Sequence, residues 1–164
     1  VRISNTPVKA AADKVQILIA LDKETTRRDI ECLDGDGVLL FDGDTVGFTS
    51  DDPNHLSSPF AQIAAEVGKS KIMINSVATG AAIALMGFEL QPVLDGLQEQ
   101  FQQKGDEMAA NNQKSAEAGY DFVRQSLKIK PAFKVPPANL VRQKMLLTGS
   151  QAMALGAMAS GLKF

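Results

Sequence analysis

The sequence contains one cysteine and one histidine among its 164 residues, and both scarcities exclude kinds of site. Cys32 excludes an intrachain disulfide and any metal cluster that this chain alone ligates through cysteine. We expect it to be a small packed residue near a helix end, in the reducing setting of the cytoplasm. His55 cannot form a catalytic histidine pair, and its polar neighbours predict a surface imidazole.

Long apolar runs are missing, and so are acidic residues near the carboxyl end. No run approaches the roughly 20 residues of a membrane span. Residues 1–127 carry 11 bases against all 19 acids, a balance of −8, whereas residues 128–164 carry six bases and no acid. This basic segment does not interleave its bases with a series of aromatic residues, as nucleic-acid binders do. It is either a solvated linker against an acidic neighbour or a contact to a phosphorylated cofactor.

Two predominantly apolar runs predict buried strands, at Val15–Ala20 and Val38–Phe41. The segment between them is typical of a helix, with Asp22 as its N-cap and a glycine turn at 33–37 as its end. A strand, a helix and a strand over about 28 residues form a βαβ unit, whose strands are parallel and whose crossover is right-handed.

The rest of the chain predicts a three-layer, Rossmann-like α/β domain with a mostly parallel sheet and a helical C-terminal part. Residues 42–59 are polar and rich in turn formers, which predicts a surface loop carrying His55. Further elements follow in order: a helix over 59–67 capped by Ser57 or Ser58, a short strand over 71–74, a helix from Asn75 ended by Gly87, helices over 92–103 and 106–127, and a proline-rich segment over 128–144.

No motif of known chemistry is present. The segments 34–37 and 42–44 (DGDG and DGD) have the composition of calcium loops, but no glutamate closes either one, so they predict turns. The sequence has no G-x-G-x-x-G, no P-loop, no nucleophile elbow and no cluster of metal-ligand residues. We therefore predict no catalytic residue and no metal ligand.

The tail helix, within residues 145–164, has two faces. Ala152, Gly156 and Ser160 lie four residues apart, so they share a face that lets a backbone or a flat ligand come close. Packing of the helix against a sheet is the favoured explanation of this face and of the small residues after Asn75. The opposite side has the composition of a core surface and carries Met153, Leu155, Met158 and Leu162.

Taken in order, several stretches resemble the α subunit of bacterial and archaeal 2-oxoacid:ferredoxin oxidoreductases, the 2-oxoglutarate type in particular. They are VQILIALDKETTRRDIECLDGDGVLLFDGD at 15–44, KIMINSVATGAAIALMGFELQPVLDGLQEQFQQKG at 71–105, the residues Asn112, Ala116, Gly119 and Tyr120, and LLTGSQAMALGAMASGLKF at 146–164. The resemblance implies a γ-type domain over 1–127, a basic proline-rich linker over 128–144, and the first helix of a thiamine-diphosphate-fold pyrimidine-binding domain over 145–164. It also implies that a glycine-rich loop precedes Val1 and that a thiamine-facing segment follows Phe164.

The resembled complex oxidatively decarboxylates a 2-oxoacid on thiamine diphosphate, passes the acyl group to coenzyme A, and sends electrons through iron–sulfur clusters to ferredoxin. The implied cofactors of the complex are thiamine diphosphate, magnesium, an iron–sulfur cluster and coenzyme A, none of them bound by this chain alone. The implied partners are a β subunit, ferredoxin and further copies in an oligomer, with no nucleic acid and no membrane.

The candidate cofactor-binding residues are Asn75, Thr148 and Gly149. The family commonly has Gly-Asn-Glu-Ala where this chain has Gly149-Ser150-Gln151-Ala152, so no role is assigned to residues 150 and 151. The alternatives are a pyruvate or branched-chain 2-oxoacid relative, a non-catalytic subunit-assembly module, and an unrelated nucleotide-binding domain.

Overall fold

Three parallel strands, in the order β1-β2-β3, form the sheet of the computed structural model, which describes residues 3, 4, 8, 10, 12–126 and 147–162. The strands are β1 (Val15–Ala20), β2 (Leu33–Phe41) and β3 (His55–Ser57). Ile17 pairs with Val38, and Leu39 pairs with His55. The predicted parallel pairing of the two apolar runs is therefore confirmed.

Seven α-helices surround this sheet or follow it in the described parts of the chain. They are α1 (Lys23–Asp29), α2 (Gly43–Val46), α3 (Phe60–Glu66), α4 (Ile74–Met86), α5 (Gln91–Phe101), α6 (Asp106–Ser126) and α7 (Gly149–Ala159). Single 3-10 turns lie at Ile30–Cys32, Lys71–Met73 and Gln102–Lys104. Gly87 ends α4 in the left-handed conformation, with φ of 73°, as its position predicted. The predicted linker at 128–144 lies outside the described residues.

The glycine turn predicted at 33–37 is wrong, because β2 already begins there. Leu33 pairs with Val15, and the next pair is Ile17 with Val38, so residues 34–37 bulge out of the ladder. Gly37 is buried, and a Cβ at this position would meet the Leu33 side chain at 2.7 Å. Gly35 and Gly37 therefore lie in an irregular part of a strand. The composition of this segment is the same as that of a turn.

Two further predictions of secondary structure are wrong. Residues 55–57 form β3 although the predicted loop contained them, because the backbone pairs with β2 in a segment too short to show an apolar alternation. Residues 71–73 form a 3-10 turn instead of a strand, since the Ser70 hydroxyl accepts the N–H of Ile72. Ile72 is 82% exposed, which a strand buried in the sheet does not allow.

The core lies on both faces of β2. On one face Val38 and Leu40 pack with residues of α3, α4 and α6, namely Phe60, Ala64, Val77, Ala81, Leu85 and Val123. On the other face Leu39 and Phe41 pack with Ala20 and with Val46 of α2. Helices on both faces of a parallel sheet confirm the predicted Rossmann-like α/β class.

Helices α4 and α6 cross with their backbones in contact. A Cβ at Gly80 would clash with the carbonyl oxygen of Ala116, and a Cβ at Gly119 would clash with that of Val77. The Ser76 hydroxyl donates to Asn112 Oδ1 at 2.6 Å inside this contact. The small residues of α4 therefore serve helix packing, as predicted, although Gly80 faces α6 and not the sheet.

Helix α7 is the opposite case. All of its residues are exposed except Ala157, which is half-buried, and Met153 is 78% exposed. Gly156 has no atom within 4 Å of the position that a Cβ would take. The apolar side predicted as a core surface has no core against it in this structure. No helix in the described ranges has the length and apolar character that crossing a membrane requires.

Candidate functional site

The carboxyl edge of the sheet is the candidate site, because ligands of parallel α/β sheets bind outside the carboxyl ends of the strands. Asp22 follows β1 after one residue, Asp42 follows β2 directly, and Ser58 follows β3 directly. Two carboxylates and a hydroxyl are thus placed along one edge. What they can do depends on which of their oxygens are already bonded.

Asp22 is the N-cap of α1, as predicted. One carboxylate oxygen accepts the Thr25 N–H at 2.7 Å, and the other accepts the Thr25 hydroxyl at 2.7 Å. The Thr25 N–H, followed by its hydroxyl, lowers the pKa of Asp22 below its ordinary value. Asp22 therefore stays ionised near neutral pH, and its oxygens are engaged in the cap.

Asp42 is 1% exposed and joins three elements. Its Oδ1 accepts the Thr45 N–H of α2 at 3.0 Å, and its Oδ2 accepts the Ala61 N–H of α3 at 2.6 Å. No ion pair in the described parts of the chain involves Asp42. The carboxylate is stabilised by two helix N-termini, where negative charge is favoured.

Ser58 is 1% exposed, and its hydroxyl oxygen has no hydrogen-bond partner. The prediction that Ser57 or Ser58 caps α3 is wrong, because the side chain of Asp42 occupies the Ala61 N–H. Ser57 is exposed, and its hydroxyl lies where a Cβ at Gly43 would be placed. Position 43 therefore requires glycine for the close approach of β3 to the start of α2.

The prediction of a surface imidazole at His55 is also wrong. The His55 side chain is 14% exposed and lies on β3. Its Nδ1 is 2.8 Å from the Ser50 hydroxyl, its Nε2 is 3.9 Å from Asp52 Oδ2, and its ring centroid is 6.2 Å from that of Phe48. Strand pairing with Leu39 places the ring against its loop, which composition alone does not reveal.

Cys32 is exposed at the end of the 3-10 turn after α1, so the prediction that it is packed is wrong. The turn carries its side chain away from the core, which Ile30 and Leu33 contact instead. No group of three or more histidine, cysteine, aspartate or glutamate side chains within the described ranges could hold a metal ion.

The predicted cofactor-binding residues lie at two helix starts. Asn75 is exposed in the first turn of α4. Thr148 is the N-cap of α7 and forms a capping box with Gln151, accepting its N–H at 3.3 Å and donating its own N–H to Gln151 Oε1 at 2.9 Å. Gly149 begins α7. No hydrogen bond of the described residues joins Asn75 to either tail residue, so cofactor binding stays a prediction for all three.

A shallow charged hollow lies on the outer face of α1, lined by Lys23, Glu24, Arg27 and Arg28. Arg28 is bonded through two nitrogens to Asp29, at 2.7 and 2.8 Å. Glu24 places a negative charge among the three cations. The hollow therefore has a mixed charge pattern, which does not select an anion.

The sequence analysis did not assign Asp42 and Ser58 to the edge of the sheet, although it named Ser58 as a possible cap of α3 and placed Asp42 in a turn; both are buried polar residues. The sequence does indicate the bond from Asp42 to the Thr45 N–H, because an aspartate three residues before Thr45 is an ordinary N-cap pattern. No sequence signal indicates the bond to Ala61, 19 residues further on.

Residues 1–122 match the family model described as pyruvate ferredoxin/flavodoxin oxidoreductase. None of the curated proteins matches the chain.

The solved structures that are similar to the chain include two from ferredoxin oxidoreductases. One is the 2-oxoglutarate:ferredoxin oxidoreductase from Magnetococcus marinus with 2-oxoglutarate, coenzyme A and succinyl-CoA bound, at 22% identity and a TM-score of 0.83, covering 96% of this chain and 28% of that chain. The other is the γ subunit of the keto/oxoacid ferredoxin oxidoreductase from Geobacter sulfurreducens PCA, at 24% identity and a TM-score of 0.56, covering 65% of this chain and 62% of that one. The chain thus spans little more than a quarter of the Magnetococcus chain.

Proposed function

This chain belongs to the pyruvate ferredoxin/flavodoxin oxidoreductase family, and on that premise we propose that it is part of the α subunit of a 2-oxoacid:ferredoxin oxidoreductase of the 2-oxoglutarate type. In this proposal the complex oxidatively decarboxylates 2-oxoglutarate to its acyl-coenzyme A product and transfers the electrons to ferredoxin. The chain supplies a scaffold domain and the first helix of the domain that follows.

The extent of the structural likeness carries this proposal. The Magnetococcus chain fits nearly all of this chain, and a fit over that share has to include the tail as well as the sheet domain. The Geobacter γ subunit fits about two thirds of the chain. A γ-type domain continued by a tail helix agrees better with a fused α subunit than with a separate γ subunit.

The described residues do not fit the redox cofactors of such a complex. An iron–sulfur cluster needs several thiolates, and the chain has the single Cys32. A diphosphate–magnesium site needs gathered oxygen ligands, and Asp22 and Asp42 already accept backbone N–H groups. We therefore assign no step of the reaction to these residues and place the cofactors elsewhere in the complex.

Coenzyme A contact is the finer part of the proposal. Asn75 is its best candidate residue, because its side chain is exposed and makes no hydrogen bond to the described residues. Thr148 and Gly149 are the second candidates, although the Thr148 hydroxyl is already engaged in the cap of α7. In the assembled complex, Asn75→Ala should raise the KM for coenzyme A and leave the KM for the 2-oxoacid unchanged. Asn111→Ala on α6 is the matched control, and equal effects of the two variants would contradict the assignment.

The experiment for the activity is reduction of ferredoxin by the polypeptide that carries this chain, produced together with its β subunit. We expect reduction that requires both coenzyme A and a 2-oxoacid, fastest with 2-oxoglutarate. Faster reduction with pyruvate or with branched-chain 2-oxoacids would assign the substrate to those relatives instead. An assembled complex that reduces ferredoxin with none of these 2-oxoacids would contradict the proposal.

A non-catalytic assembly module is the second candidate, favoured by the state of the carboxyl edge. Both edge carboxylates serve as helix caps, and the Ser58 hydroxyl is enclosed, so this edge presents no free reactive group. The two functions differ in one measurement, since an assembly module holds the subunits together without affecting turnover per assembled complex.

A further inference from the structure

Two side chains near the start of α3, those of Asp42 and Ser58, are candidate acceptors for the Ala61 N–H. The Asp42 carboxylate accepts the Ala61 N–H at 2.6 Å, reaching across from the end of β2. Ser58 lies three residues before Ala61 and directly before Pro59, which is the sequence spacing of an N-cap hydroxyl and the N–H that it accepts, although α3 begins at Phe60 with Pro59 as its N-cap. The Ser58 hydroxyl nevertheless has no partner, although it is buried.

The bond from Asp42 to Ala61 explains why the Ser58 hydroxyl has no partner. Because Asp42 takes the Ala61 N–H, the acceptor that local sequence provides for it is left without a bond. An unsatisfied buried hydroxyl is unfavourable, so the arrangement persists only because the charged acceptor forms the stronger bond.

The backbone around Ser58 is held on both sides. Its N–H donates to the Phe41 carbonyl at 2.8 Å, and its carbonyl accepts the Phe60 N–H at 2.9 Å. Both backbone groups of Ser58 are fixed by these bonds, so rotation about χ1 is the movement left to its hydroxyl.

We propose that Ser58 is a reserve cap of α3, which takes the Ala61 N–H when the Asp42 carboxylate leaves it. This exchange keeps the first turn of α3 capped when the Asp42 carboxylate is turned away from it or removed. The inference concerns a conformational exchange in the fold and does not depend on the proposed enzymatic function.

Amide hydrogen exchange at Ala61, measured by NMR on the full chain, tests the proposal. In Asp42→Ala the Ala61 amide should stay protected, because Ser58 accepts it. In Asp42→Ala/Ser58→Ala the protection of the Ala61 amide should be at least about fivefold lower than in Asp42→Ala, which is the factor that an ordinary cap provides. Asp42→Ala/Ser57→Ala is the matched control and should behave as Asp42→Ala does, since Ser57 is the neighbouring exposed serine.

Ser58→Ala in the otherwise unchanged chain should leave the Ala61 protection as it is and should not lower Tm. If Asp42→Ala does not fold, Asp42→Asn replaces it, because the amide has one acceptor oxygen for two N–H donors. Ser58→Ala should then cost more protection in the Asp42→Asn background, with its single acceptor, than beside the native carboxylate. Equal losses in the two backgrounds, or loss of Ala61 protection in Ser58→Ala alone, would overturn the proposal.

Discussion

The α4–α6 crossing and helix α7 use the same sequence pattern and have opposite surroundings. Gly80 lies four residues after Ser76 on α4, and Gly156 lies four residues after Ala152 on α7. A Cβ at Gly80 would clash with the backbone of Ala116, whereas a Cβ at Gly156 would meet nothing within 4 Å. A stripe of small residues therefore allows another backbone to come close. Close packing forms only where such a backbone is present.

The polar side chains of the two regions also differ in their surroundings. At the crossing, the Ser76–Asn112 bond is buried, so both groups depend on each other for their hydrogen bonds. At the start of α7, the Thr148–Gln151 capping box is exposed, and water can replace either partner. The sheet domain and α7 should therefore respond differently to substitution.

A methyl group at the crossing should have the largest effect. Gly80→Ala should destabilise the sheet domain by about 3 kcal/mol, because the new Cβ meets a carbonyl group that is part of α6 and cannot rotate away. Gly156→Ala is the matched control and should raise the helix content of the tail, since alanine is favoured over glycine in an open helix by about 1 kcal/mol. Urea unfolding and circular dichroism measure the two outcomes. A Gly80→Ala variant as stable as the wild type would refute the close contact.

Removal of a buried hydrogen-bond partner should have the next largest effect. Asn112→Ala should destabilise the domain by about 2 kcal/mol, because the Ser76 hydroxyl loses the acceptor that it bonds at 2.6 Å. Ser76→Ala/Asn112→Ala should cost less than the sum of the single variants, since both ends of the bond are then absent. Additive costs in denaturant titrations would show that the bond contributes nothing of its own.

The exposed cap of α7 should matter less and only locally. Thr148→Ala should weaken α7 by about 1 kcal/mol, because the Gln151 N–H loses its acceptor. The unfolding midpoint of the sheet domain should not change. Serine at the same position should restore the helix signal, and a fall in the domain midpoint would indicate that α7 packs against the domain in solution.

Acid should destabilise the sheet domain slightly through Asp22 of α1 and should leave α7 unchanged. The folded pKa of Asp22 is lowered by the Thr25 N–H, so its contribution is present above the unfolded pKa and is lost as pH falls through the folded pKa. Below about pH 4, the ordinary range for aspartate, Tm of the wild type should fall more steeply than that of Asp22→Asn. The helix content of α7 should not follow pH, since Gly149–Ala159 has no titratable side chain. Parallel pH profiles for both variants would contradict the assignment.

Deletion of residues 145–164 should have the smallest effect on the sheet domain. Because α7 is exposed along its length, the shortened chain should unfold with the same Tm. The tail should also be the least protected segment in hydrogen exchange unless an oligomer covers it, since isolated helices of this length are marginal in water. A much lower Tm after deletion would show that the tail belongs to the core of the first domain and that the boundary predicted at 128–144 is misplaced.

Local chemistry explains which elements could be predicted. The N-cap of α1 at Asp22 and the end of α4 at Gly87 depend on residues within four positions, so composition and spacing were enough to place them. The bond from Asp42 to Ala61 joins residues 19 apart, and nothing near either residue indicates it. The prediction of a Ser57 or Ser58 cap failed for this reason: the local pattern was present, but a distant and more strongly accepting group took the donor.

The sequence alone determined the class of the fold and the pairing of its two main strands. The apolar runs at 15–20 and 38–41 can be buried on both faces only in a sheet covered by helices, and a single helix between them requires a parallel pair. The tertiary structure decided the third strand, the irregular start of β2 and the partner of each glycine. Those features depend on hydrogen bonds and close contacts between segments far apart in the chain, where β2 meets His55 and α6 meets Gly80. Such contacts leave no periodic trace in the sequence, because one residue on each side is enough to form them.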